Sequence, residues 1–286
     1  MTICVGTFAA DGHAIVCVAD RSVTYGDDIM GESDATKIIQ LPSGAIALVS
    51  GIEGEFERLI AKLARNRNLG KSLQDTIGYC EAQYLEVKRE LRKIRLLEPN
   101  LTDEEKLREA ASIPDANQYI KGLMSQVAVF DISSYILLWG FDESGKAFLL
   151  EIAPPGEVRD LSRLGYHAIG SGGQYAISRL VWSEYTRDKP IDEVLYHALD
   201  AKISAEINPF IGGEWDAVVV VAGNKLTEVP KGIKKILDRL WVKYDESPYY
   251  DRKSDDDPWE LPPKDWKTQL YDFAEGILPR EPNKSS

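Results

Sequence analysis

Residues 2–20 read TICVGTFAADGHAIVCVAD, and this stretch decides the fold. Its two apolar halves, Ile3–Phe8 and Ala14–Ala19, are separated by the turn pair Asp11-Gly12. Apolar runs rich in valine and isoleucine that are joined through Asp-Gly predict two antiparallel strands connected as a hairpin. The stretch therefore predicts a sheet that is built around this hairpin.

Strand and helix signals alternate in groups along the rest of the chain. Further strands are predicted at 45–49, 127–130, 135–141, 147–152 and 215–221, and a segment around 166–169 leads into the glycines at 170–173. Helices are predicted after Gly51, from Ser72 to Leu97, after Gly173 and over 191–207. Because the helices come in pairs between groups of strands, the order favours antiparallel sheets covered by helices over a parallel βαβ arrangement. The predicted fold class is α+β, a four-layer αββα sandwich with two antiparallel sheets between helical layers.

The pattern predicts one domain over residues 1–244 with a helical elaboration at 98–122. Pro99 interrupts the preceding helix, and Thr102 with Glu105 predicts a capping box for the next one. Residues 245–286 form an acidic extension that holds six of the fourteen prolines and several aromatic residues. Since a plain flexible tail is poor in aromatic residues, we expect the extension to dock onto its own domain or onto a neighbouring subunit.

Composition excludes several classes of partner. The formal net charge of −12 argues against nucleic acid and anionic membranes, which favour clustered lysine and arginine. No apolar run reaches the roughly 18 residues that span a bilayer, and no secretory leader is recognised. Cys4, Cys17 and Cys80 show no paired spacing, so we expect no disulfide, no metal site, no cofactor and a cytoplasmic location.

Thr2 is the candidate nucleophile. It follows Met1, and a methionine before a small residue is a substrate for methionine aminopeptidase. Removal of Met1 would leave a first residue with both a hydroxyl and a free α-amine. Such an amine titrates at about 7.7–8.0, so it can accept the hydroxyl proton near neutral pH. We therefore predict that Thr2 supplies both the nucleophile and the base of a reaction.

Five stretches in the expected order resemble the proteasome β-subunit and HslV family of N-terminal nucleophile (Ntn) hydrolases. They are Thr2–Gly6, Val18–Asp20 with Thr24–Gly26, Asp34–Ile38, Val49–Gly51 and Ile169–Ala176. The resemblance implies the Ntn-hydrolase type of αββα sandwich and a threonine-type endopeptidase. It also implies a peptide or unfolded protein substrate and a homo-oligomeric ring, and it leaves open whether an ATPase partner feeds the ring.

The resemblance assigns roles to individual residues. Thr2 would be the nucleophile, Lys37 would lie beside its hydroxyl, and Asp20 would pair with Lys37. The backbone amide of Gly51 would face the oxyanion, and Ser171 would help to organise the α-amine. A substrate-binding pocket beside the scissile bond is implied for four further residues: Thr24, Ala35, Val49 and Glu53.

Two other functions remain open. Asn208 and Ile211 stand where the family commonly has aspartate and serine, which fits a catalytically inactive, proteasome-like structural subunit. Ntn folds also host several amide cleavages, so a small-molecule amidase is the third hypothesis.

Overall fold

The computed structural model describes residues 2–25, 29–32, 36–113, 117–207, 213–223, 225–244 and 265–278. Its strands are β1 (Cys4–Ala9), β2 (Ala14–Asp20), β3 (Ser22–Tyr25), β4 (Ile29–Glu32), β5 (Ile38–Gln40), β6 (Ile46–Ser50), β7 (Tyr135–Phe141), β8 (Ala147–Ala153), β9 (Glu157–Asp160), β10 (Tyr166–Ile169), β11 (Trp215–Val221) and β12 (Lys225–Glu228). Its α-helices are α1 (Glu53–Leu63), α2 (Leu73–Arg92), α3 (Glu104–Ser112), α4 (Gln118–Val129), α5 (Gly173–Trp182), α6 (Ile191–Ser204), α7 (Lys231–Tyr244) and α8 (Trp266–Ile277).

The described strands form two antiparallel five-stranded sheets and a small hairpin. The first sheet has the order β10-β1-β2-β11-β12, the second has the order β5-β6-β7-β8-β9, and β3 pairs with β4. The predicted hairpin of β1 and β2 is central in the first sheet, with Cys4 opposite Ala19. β2 pairs on its other side with β11, which places Trp215 opposite Asp20.

Three apolar clusters show that the molecule is a four-layer αββα sandwich, as predicted. Alternate residues of a strand point to opposite faces of its sheet. Accordingly Cys4 and Phe8 pack between the two sheets with Trp139, while Ile3 and Val5 face the layer of α5, α6, α7 and α8. The outer face of the second sheet packs against α1 and α2. Apolar burial on both faces of both sheets is the main force that stabilises this architecture.

The predicted elaboration is a longer helical segment than expected. A π-helical turn at Lys93–Leu97 continues α2, and α3 and α4 follow before β7; we call residues 93–113 together with 117–129 the helical arm. The strand predicted at 127–130 is wrong, because Leu123 and Val127 lie four residues apart on α4 and pack together against Leu97 and Leu107. The predicted capping box is also wrong, since the Asp103 side chain caps α3 by accepting from the Lys106 amide at 2.9 Å.

The C-terminal helix α8 packs on the outer helical layer. Leu270, Ala274 and Ile277 lie at spacings of four and three residues and are buried in the same cluster as α6 and α7. Trp266 and Phe273 pack beside them as partly buried side chains. The described part of the extension therefore docks onto its own domain through one apolar helix face.

Candidate active site

The hairpin brings the start of the chain next to Asp20. Asp20 is the last residue of β2, and its backbone amide donates to the Ile3 carbonyl at 3.1 Å. In return, the Ile3 amide donates to Asp20 Oδ1 at 2.9 Å. The Asp20 side chain is fully buried. The carboxylate is thus fixed directly beside the residue that follows Thr2.

Lys37 reaches the same carboxylate from the second sheet. Its Nζ donates to Asp20 Oδ1 at 2.8 Å and to the Ser22 carbonyl at 2.6 Å. Its backbone is held by β6, because the Val49 amide donates to the Lys37 carbonyl at 3.2 Å. The Lys37 side chain is only 11% exposed, so this is a buried ion pair in which the Coulomb attraction is little screened. One carboxylate oxygen therefore joins the ammonium of Lys37 to the chain start.

A glycine turn closes over Thr2 from the other side. β10 pairs with β1, with Cys4 opposite Ile169, and Gly170 then turns the chain with φ +98°. A Cβ at Gly170 would lie 2.0 Å from the Thr2 carbonyl oxygen, so the close approach requires glycine. The Ser171 hydroxyl lies 3.5 Å from the same oxygen and donates a long hydrogen bond to it.

Gly51 lies at the end of β6, on the same edge of the sandwich. Its φ is +117°, and it is exposed where β6 leads into α1. The preceding Ser50 hydroxyl lies 3.3 Å from the position of a Cβ at Gly170, so the end of β6 and the Gly170 turn are neighbours. Within the described part of the chain, the Gly51 amide has no hydrogen-bond acceptor. The structure thus brings together the elements that carry Thr2, Asp20, Lys37, Gly51 and Ser171.

The structure describes the side chains of two of the four predicted pocket residues. Val49 is 1% exposed and packs in the core beneath α1 and α2, whereas Glu53 begins α1 and is exposed. Thr24 lies in β3, where the structure describes only the backbone, and Ala35 lies outside the described residues. Asn208 and Ile211, the two departures from the family pattern, also lie outside the described residues. A pocket formed by the first four residues stays a prediction.

The site contains contacts that the sequence analysis did not identify. The Lys37 ammonium uses the main-chain carbonyl of Ser22, and no residue type signals such a contact. Gly170 directly precedes Ser171 in the sequence, and a glycine at this position could have predicted a close approach between two backbone segments. The Cys4 thiol donates to the Val49 carbonyl at 3.4 Å. Burial raises its pKa, and the nearby Lys37 ammonium only partly opposes this, so Cys4 remains a neutral thiol.

Comparisons with known proteins leave the site as the main source of functional information. No protein-family model matches the chain, and no curated protein matches it. Among solved structures, it is similar to "eukaryotic HslV from Trypanosoma brucei", with 20% identity over 77% of this chain and 99% of that chain and a TM-score of 0.46. In the described ranges, no helix has the length and hydropathy needed to cross a membrane. The same ranges hold no cluster of three or more metal-ligating side chains.

Proposed function

We propose that this protein is a threonine-type peptidase that cleaves peptide bonds through Thr2 after removal of Met1. The observation that carries the proposal is the sharing of Asp20 Oδ1 between the Lys37 ammonium and the amide of Ile3. This contact links the Lys37 ammonium to the residue that follows Thr2, and we propose that the ammonium lies beside the Thr2 hydroxyl. Such a cation favours loss of the hydroxyl proton, because it stabilises the alkoxide that develops.

Thr2 would supply both the nucleophile and the base. Its Oγ attacks the carbonyl carbon of the scissile bond while its own α-amine accepts the Oγ proton. The tetrahedral intermediate collapses when the C–N bond breaks and the departing amine takes that proton. The resulting ester on Thr2 is then hydrolysed by water, with the α-amine again acting as base, which returns the free enzyme.

Asp20 would act on the reaction through Lys37. The like charge of an ammonium disfavours protonation of the nearby α-amine, which keeps that amine available as a base. The carboxylate of Asp20 holds the Lys37 ammonium in this position, because it accepts a hydrogen bond from Lys37 Nζ at 2.8 Å. Lys37 would therefore serve as a fixed positive group that Asp20 holds in place, rather than as a proton relay.

Gly51 would bind the oxyanion through its free amide. Donors that are fixed before the reaction contribute about 3–4 kcal/mol to transition-state stabilisation when they face the developing charge. Ser171 would orient the chain start through its bond to the Thr2 carbonyl. Thr24, Ala35 and Glu53 are proposed as the walls of the adjoining substrate pocket, which would select the side chain next to the scissile bond, and the buried Val49 would lie behind them in the core.

The sequence resemblance supports further proposals about the assembly. We propose a cytoplasmic homo-oligomeric ring that takes peptides or unfolded protein, with an ATPase as an optional partner. Residues 1–244 would form the catalytic domain and 245–286 its extension. Deleting 245–286 and measuring the mass of the particle by sedimentation tests whether the extension supports assembly, and an unchanged mass would exclude that role.

The decisive test compares Thr2→Ala with the control Thr2→Ser. Intact-mass analysis of the parent protein should show loss of Met1 and, after treatment with an electrophilic peptide, one adduct on Thr2. Thr2→Ala should abolish both the adduct and peptide hydrolysis, whereas Thr2→Ser keeps a hydroxyl beside the amine and should retain activity. Retention of Met1 would support an inactive structural subunit, and an adduct without peptide hydrolysis in a monomeric or dimeric protein would support a small-molecule amidase.

A further inference from the structure

Glu55 is a buried carboxylate that the proposed mechanism leaves unused. It lies in the first turn of α1, and its side chain is 1% exposed. Glu55 Oε2 accepts from the Ser133 amide at 2.6 Å and from the Ser134 hydroxyl at 3.1 Å. Glu55 Oε1 forms an ion pair with Arg95. A buried carboxylate with this many donors is held in one position.

The partners of Glu55 come from the two ends of the helical arm. Arg95 lies in the π-helical turn where the arm begins, and Ser133 and Ser134 follow the arm just before β7. π-helical turns are rare and often occur at functional sites. The returning end is fixed a second time, because Asp131 accepts from the Tyr84 hydroxyl at 2.8 Å and from Lys88 Nζ at 2.9 Å. Both ends of the arm therefore meet α1 at a single carboxylate.

Ser133 and Ser134, which Glu55 binds, pack directly against Gly51. A Cβ at Gly51 would lie 2.6 Å from the Ser133 carbonyl oxygen and 2.6 Å from Ser134 Cα. The Ser134 hydroxyl also lies 3.2 Å from the Ile52 carbonyl, so its single proton is shared between this oxygen and Glu55 Oε2. Gly51 and the residue that follows it are thus in contact with Ser133 and Ser134. These contacts fix the backbone of Gly51 from the side of Ser133 and Ser134.

We infer that Glu55 is a positioning residue that couples the helical arm to the orientation of the Gly51 amide. The inference rests on the proposed function, because it takes that amide to be the oxyanion donor. Glu55 fixes Ser133 and Ser134, these residues form the wall against Gly51, and Arg95 holds the carboxylate from the arm. Movement of the arm would therefore change the rate of acylation of Thr2 without any contact between the arm and the substrate.

Kinetics of three variants test the coupling. Ser134→Ala removes the hydroxyl that links Glu55 to the Ile52 carbonyl, Glu55→Gln removes the charge, and Arg95→Gln removes the cation. Complete loss of an oxyanion donor lowers kcat about 10²–10³-fold. A displaced donor should cost less, so we expect kcat to fall about tenfold with KM unchanged. The matched control is Ser133→Ala, because the Ser133 side chain is exposed and only its backbone amide bonds to Glu55.

Hydrogen–deuterium exchange on the same proteins gives a readout that does not depend on activity. Peptides that cover 131–135 and 51–56 should exchange faster together in Glu55→Gln and in Arg95→Gln, and they should be unchanged in Ser133→Ala. Unaltered kcat in folded Glu55→Gln and Ser134→Ala would overturn the inference, as would equal losses in Ser133→Ala. If the parent protein neither cleaves peptides nor forms an adduct at Thr2, the proposed function fails and the positioning role fails with it. The exchange data would then still decide whether the arm and Gly51 are mechanically coupled.

Discussion

Replacing Lys37 by methionine tests the buried ion pair on which the site depends. Methionine keeps an unbranched side chain of similar reach but removes the ammonium that bonds to Asp20 Oδ1 and to the Ser22 carbonyl. Among the described residues, the fully buried Asp20 carboxylate would then keep only two donors, the backbone amides of Ile3 and Ser22, at 2.9 and 3.3 Å. Breaking a buried pair on one side typically costs about 3–5 kcal/mol, because an uncompensated charge remains.

The expected effect on thermal unfolding follows from that cost. For a chain of this size, 1 kcal/mol shifts Tm by about 2–4 °C, so Lys37→Met should lower Tm by about 10 °C. Peptide hydrolysis should be lost as well. The control is Lys71→Met, because the Lys71–Glu143 pair is more than half exposed at 3.6 Å, and such pairs contribute about 0–1 kcal/mol.

A double variant separates the charge from the packing. In Asp20→Asn combined with Lys37→Met, no buried charge is left, and the asparagine oxygen can still accept from the Ile3 amide. We expect the double variant to be more stable than Lys37→Met alone by about 1–3 kcal/mol, since removing both partners avoids the unpaired charge. Differential scanning calorimetry of the parent, of the single variants Asp20→Asn and Lys37→Met, and of the double variant completes the cycle. A Lys37→Met protein as stable as the parent, or a double variant less stable than the single one, would refute the reasoning.

Three further predictions address other parts of the molecule. Gly170→Ala should abolish acylation of Thr2, measured by intact mass, because its Cβ would lie 2.0 Å from the Thr2 carbonyl oxygen; an unchanged rate would contradict the described turn. The three buried cysteines, whose pKa burial raises, should resist a thiol reagent at pH 8 in the native protein and all react after unfolding; labelling of the native protein would argue against their burial. Burial acts to raise the pKa of Asp216, but hydrogen bonds from Arg21 and Lys234 lower it overall. The stabilising contribution of Asp216 is therefore present above about pH 4 and is lost as the pH falls through its lowered pKa. Urea titrations of the parent and of Asp216→Asn should thus give free energies of unfolding that differ less below about pH 4 than above it. A difference that grows below about pH 4 would count against the ion pair.

Strands with continuous apolar runs could be predicted from the sequence alone. The predicted bounds of 135–141 and 215–221 match β7 and β11 residue for residue. The start of α2 was also readable, because Ser72 caps it by accepting from the Asp75 amide at 3.4 Å. These elements were predictable because their signals are local: a buried strand needs apolar residues in succession, and a helix start needs a side-chain acceptor.

Elements whose signals are short or ambiguous were missed. The run at 127–130 is apolar enough for a strand, yet its first three residues belong to α4, because Val127 packs against Leu97 and Leu107 within the helical arm. The short strands β5, β9 and β12 have three or four residues each, too few to show a period. Tertiary packing decided these segments, since local preference alone was compatible with more than one structure.

For the site, the sequence determined which chemical groups are present and in which order they occur. It supplied a hydroxyl beside a chain start, an aspartate at the end of a strand, a lysine before another strand, and glycines at two turns. The tertiary structure alone decided that one oxygen of Asp20 bonds to both Lys37 and Ile3, and that Glu55 joins both ends of the helical arm next to Gly51. These contacts join residues from different elements of the sandwich. Their geometry depends on how whole sheets and helices pack, which no local stretch of sequence encodes.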